Sequence, residues 1–78
     1  MVVKVFLTLI TEHGRCNETY TTIKSFDEVE LACIVDRGPH DIVALVKVDT
    51  LDGYRELIEK VAALPHTEDF ESFIILEV

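Results

Sequence analysis

Residues 29–48, VELACIVDRGPHDIVALVKV, hold two apolar runs joined by the polar loop Asp36-Arg37-Gly38-Pro39-His40-Asp41. Gly38 and Pro39 mark a turn, and the β-branched runs on either side predict a β-hairpin. The strands are apolar on both faces. In the first, strict alternation places Val29, Leu31, Cys33 and Val35 on one face and Ala32 and Ile34 on the other. In the second, Ile42, Ala44, Val46 and Val48 oppose Val43 and Leu45. An antiparallel sheet with one wet face alternates apolar with polar. Here each face must be covered, and a chain of 78 residues has too few elements to cover both.

That length makes a single domain over residues 1–78. A chain so small buries only about 60–65% of its unfolded surface, and oligomerisation is a usual remedy. A hydrophobic content of 49% argues against disorder. Fifteen acids against seven bases give a net charge of −8, which repels phosphate backbones and speaks against direct nucleic-acid binding. The apolar runs are too short to span a membrane, and the N-terminal stretch lacks the basic leader and small-residue cleavage site of a signal peptide. Cys16 and Cys33 have no metal spacing and read as reduced thiols of a cytoplasmic protein.

Val2 to Ile10 is strand-like, with Val3, Val5, Leu7 and Leu9 on one face and Val2, Phe6 and Ile10 on the other. His13 to Phe26 is ambiguous. Tyr20, Ile23 and Phe26 recur near helical spacing, whereas the β-branched run Thr19-Tyr20-Thr21-Thr22-Ile23 lowers helix propensity. The expected tertiary arrangement favours a helix over a further strand. Asp49 or Thr50 opens a second helix, with Leu51, Tyr54, Leu57, Ile58, Val61 and Leu64 as its apolar stripe. Arg55–Glu59 and Glu56–Lys60 are expected i,i+4 pairs on its outer side, and Pro65 ends it. Phe70 to Val78 reads as the last strand, Phe70, Ser72, Ile74 and Leu76 opposing Phe73 and Ile75.

The order is βαββαβ: an α+β, ferredoxin-like fold with an antiparallel sheet and two helices on one face. The other face would present Phe6, Ile10, Ile34, Leu45 and Phe73, or their neighbours one residue along, the register being open. An uncovered apolar face predicts a partner, and a symmetric dimer is the simplest closed solution.

Groups able to do chemistry are sparse. His13, His40 and His66 are isolated and flanked by loop signals, and the sequence has no nucleophile elbow, phosphate loop or dinucleotide fingerprint. No catalytic residue, cofactor or metal is therefore expected. The Gly38-Pro39-His40-Asp41 loop reads first as a turn, in which Pro39 fixes φ and Asp41 bonds backbone amides. Its functional reading is a glycine amide and a carboxylate on one rigid hairpin, able to hold the two charged ends of an amino acid.

The pattern V-x-x-x-C-x-x-V-x-x-G-x-x-D-I-V-x-x-V, running from Val29 through Val35, Gly38 and Asp41 to Val46, resembles the effector domain of the leucine-responsive regulator family, Lrp/AsnC, often called RAM. Gly14, Leu64-Pro65 and Ile74-Ile75-Leu76 fall at further family positions. The chain departs from the family pattern at Leu64-Pro65-His66-Thr67, where Leu-Pro-Gly-Val is common, at Phe70, where a small polar residue is frequent, and at Asp27, which replaces a proline. The resemblance implies a stand-alone effector domain without the family's helix-turn-helix. It implies homodimers packed through their sheets in a dimeric α/β barrel, assembling into rings such as octamers. It further implies a small-molecule effector, commonly an amino acid, bound between dimers near Gly38 and Asp41, and full-length regulators as possible partners. Arg37 and His40 join the candidate site by proximity alone. Two other readings stay open. One is a small dimeric α/β-barrel enzyme of monooxygenase type, using His13 or Tyr20, since fold does not fix function. The other is a purely structural oligomerisation domain.

Overall fold

A computed structural model describes residues 2–75. It contains β1 (Val3–Thr11), α1 (Cys16–Lys24), β2 (Val29–Ile34), β3 (Ile42–Val48), α2 (Leu51–Ala62) and β4 (Thr67–Ile75). The four strands form one antiparallel sheet in the order β2-β3-β1-β4. The ferredoxin-like arrangement expected from the sequence is the fold.

The two-residue period of β1 and β3 decides what is inside. Val5, Leu7 and Leu9 of β1 and Ile42 and Val46 of β3 are fully buried, together with Ile23 of α1 and Leu57 and Val61 of α2. Each such side chain contributes roughly 1.5–3 kcal/mol by leaving water. Both helices therefore lie on one face of the sheet. Against its own weak propensity, α1 is held as a helix by Ile23 in this core, and the Thr21 and Thr22 hydroxyls donate back to the carbonyls of Asn17 and Glu18. Thr50 caps α2, its Oγ1 accepting from the Gly53 amide at 3.0 Å.

Register resolves the outer face. Phe6 pairs with Leu45 and Phe73, Thr8 with Val43 and Glu71, and Leu31 with Leu45. A bulge at Glu30 sets two residues of β2 against one of β3, so Val29 faces the helices with Ala32 and Ile34, while Leu31 and Cys33 face outward. Strict alternation had grouped Val29 with Leu31 and Cys33, and had left Ile34 as an outer candidate. The last strand starts three residues before Phe70, at Thr67; Leu76 and Val78, read as part of it, lie outside the described residues. Among the described residues neither expected i,i+4 pair of α2 forms. Instead Lys60 Nζ lies 2.8 Å from the Glu28 carboxylate and 4.4 Å from the centroid of the Phe26 ring. That hydrogen bond to Lys60 holds the Glu28 carboxyl below its ordinary pKa.

Candidate functional site

The β2–β3 loop is locked to the end of β1 by Asp41. The Asp41 amide donates to the Leu9 carbonyl, and the Asp41 carbonyl accepts from Val35, both at 2.8 Å. Its side-chain Oδ2 accepts from the Thr11 amide at 2.8 Å and from the Thr11 hydroxyl at 3.3 Å. The carboxylate thus continues the β1 hydrogen bonding where the strand ladder stops, an Asx-type role. Oδ1 receives no hydrogen bond from the described residues.

The other three residues separate. Gly38 has φ +137°, a backbone conformation that L side chains rarely adopt, and a Cβ there would meet only Val35 Cγ1, at 3.7 Å. Conformation, rather than protein crowding, makes this residue glycine. Arg37 is 95% exposed, and its Nε lies 3.9 Å from the equally open Asp36 carboxylate. It presents a guanidinium with the fork geometry that suits a carboxylate. His40 turns away from the loop tip, its Nε2 lying 3.5 Å from Glu71 Oε1 on the outer face of β4. The loop therefore offers a cation and a half-used carboxylate, with His40 linking it to the bare sheet face.

Thr11 and Glu71 were not legible as parts of this neighbourhood. They are 30 residues either side of the loop's end at Asp41, and only strand pairing brings them near. Beside Glu71 on the outer face, Thr8 is buried and its hydroxyl has no partner. Phe6, Leu31, Phe73 and Ile75 on the same face are large apolar residues left exposed. The helix-bearing side has a second irregular point. His66 adopts φ +67°, the left-handed region, where the resembling family commonly has glycine. Its Nδ1 lies 3.2 Å from Glu12 and its carbonyl accepts from the Glu12 amide at 2.8 Å.

This backbone makes a prediction. His66→Gly and His66→Val both delete the imidazole, but only valine must hold a β-branched side chain at positive φ. The valine variant should be about 1–2 kcal/mol less stable than the glycine variant. Equal midpoints in denaturant would show that the turn relaxes without strain.

Two helices on one sheet face, an apolar opposite face and a polar loop at the sheet's end define a ferredoxin-like α+β domain. The chain belongs to the Lrp/AsnC ligand binding domain family, whose model matches residues 4–78. Among solved structures it is similar to FFRP-DM1, at 27% identity and TM-score 0.90, covering 95% of this chain and 99% of that one. It is also similar to the hypothetical protein PHS023 from Pyrococcus horikoshii, at 30% identity and TM-score 0.87, covering 99% and 93%. Escherichia coli AsnC shares the fold at 23% identity and TM-score 0.86; the match covers 97% of this chain and 52% of AsnC. No curated protein matches the sequence. No helix among the described residues is long and apolar enough to cross a membrane.

Proposed function

We propose that this chain is an effector-sensing assembly module: it binds a small molecule, an amino acid, beside the β2–β3 hairpin, and it dimerises through the outer face of its sheet. The observation behind this reading is the placement of that hairpin. It is pinned to β1, it exposes Arg37, it leaves Asp41 Oδ1 without a hydrogen bond from the described residues, and through His40 it adjoins an apolar face that the described residues leave uncovered. Arg37 would take the effector carboxylate bidentately and Asp41 Oδ1 the ammonium, both charge-assisted contacts. Gly38 would keep the loop backbone open to close approach. Dimers would meet around this loop in a ring of the kind the family forms, with full-length regulators as further partners. The net charge of −8 supports a module that does not itself bind DNA. The enzyme reading needs a histidine or tyrosine aimed into a closed cavity. His13 is exposed, and Tyr20 packs against the core.

A thermal-shift screen of the twenty amino acids tests the proposal. An effector at about 100 times its Kd should add roughly 2.7 kcal/mol. Asp41→Asn retains an oxygen for Thr11 and should change stability by less than about 1 kcal/mol, yet weaken the effector about tenfold or more. Asp41→Ala should additionally lose stability, since the Thr11 amide is left without its acceptor. No response to any amino acid, or full affinity in Asp41→Asn, would place the site elsewhere. Salt-sensitive retardation of duplex DNA near physiological ionic strength would contradict the DNA-free reading.

A further inference from the structure

The outer face of the sheet carries opposite charges at diagonal corners. Val46 and Val48 are buried in the core under the helices, so alternation along β3 puts Lys47 on the outer face, directly opposite Lys4. The acid lies towards the other end. Glu71 pairs with Thr8, between the helix-facing pair Leu7–Ser72 and the pair Leu9–Phe70, and therefore shares the outer face. Between the two charges Leu45, Phe6 and Phe73 stand side by side across three strands.

Phe6 is the midpoint of this pattern. Lys47 lies one strand to one side of it, level with Lys4; Glu71 lies one strand to the other side, level with Thr8. Strand spacing and rise set the two about 16 Å apart. That is about two Debye lengths at physiological salt, so they do not pair within one chain. Lys47 makes no ion pair with the described residues, although Asp27, Glu28, Asp49 and Glu56 line the same hollow at the end of the sheet. Among the described residues Glu71 meets only His40, at 3.5 Å from one oxygen, and its side chain is 55% exposed.

We propose that the outer face takes a second copy of this chain in one orientation, with Lys47 of each copy against Glu71 of the other. This rests on the dimer reading above and adds its geometry. Two points placed symmetrically about Phe6 exchange under a twofold axis that lies in the interface over Phe6, perpendicular to the line joining them. Both ion pairs then form at once, around the two Phe6 rings. The sheets cross at about 70°, near the orthogonal class of sheet packing. The two simpler axes fail on charge. An axis along the strands lays Lys47 on Ile75 and Glu71 on Val43; an axis across them lays Lys47 on Val43 and Glu71 on Ile75. Either would set both charges against apolar side chains without a partner.

The test is a charge swap in the full chain, read by light scattering over a dilution series and by native mass spectrometry. Lys47→Glu and Glu71→Lys should each weaken the dimer about tenfold or more, because each creates two like-charge pairs in the interface. The double variant should recover the affinity of the unaltered chain. Mixed in equal amounts, the two single variants should pair with each other in preference to themselves, because a mixed dimer restores both ion pairs; a contact within one chain gives no such preference. Full affinity in both single variants, or random mixing of the two, overturns the orientation. Phe73→Glu separates the two readings. If it dissociates the dimer while the charge swaps change nothing, the face stands and the orientation falls; if the unaltered chain is a monomer, both fall.

Discussion

Phe73→Glu should convert the protein to a monomer with its fold intact. Phe73 is 49% exposed on the outer sheet face, next to Phe6 in the β1–β4 register. Its loss costs the isolated chain little. In a two-fold interface the same substitution occurs twice. Buried aromatic anchors are worth about 2 kcal/mol or more each, so dimer dissociation should tighten or loosen by roughly a thousandfold with the pair; here it loosens, and the new carboxylates repel. Light scattering after size exclusion should move from dimer or larger to monomer mass, with an unchanged far-ultraviolet spectrum. A native-like assembly surviving Phe73→Glu would show that another surface holds the copies together.

Leu7→Ala should be the costliest single truncation in the core. Leu7 is fully buried at the centre of the sheet, paired with Ala44 on one side and Ser72 on the other. Both neighbours are small and cannot fill the space. Leu→Ala truncations of this kind cost about 2.7–5 kcal/mol, which in a domain this size lowers Tm by about 10–40 °C. Measured in the monomeric Phe73→Glu background, Leu31→Ala, which is 59% exposed, should stay within about 0.5 kcal/mol. A comparable loss from the two substitutions would mean that the sheet faces have been assigned the wrong way round.

The candidate site was partly legible. The Gly38–Asp41 spacing located the hairpin, because glycine and aspartate have local reasons to occupy turns. That Asp41 bonds a backbone amide was legible; which amide was not, because Thr11 is brought to it only by strand packing. The same holds for His40, whose partner Glu71 comes from the far strand.

By itself the sequence determined the elements that local periodicity sets, a period of two in β1 and β3 and of 3.6 in α2, with Thr50, Gly38 and Pro65 as punctuation; α1, where a β-branched run opposes the helical spacing, is held by the core that takes Ile23. It also marked one sheet face as the candidate surface for a partner, because the strands are apolar on both faces and the described residues hold two helices, both on the other face. The tertiary structure alone decided the bulge at Glu30 that moves Val29 inward, the early start of β4 at Thr67 and the left-handed turn at His66. It alone diverted Lys60 from Glu56 to Glu28. Each of these is settled by a partner far along the chain, and pairing energies between distant segments leave no periodic trace in the residues that join them.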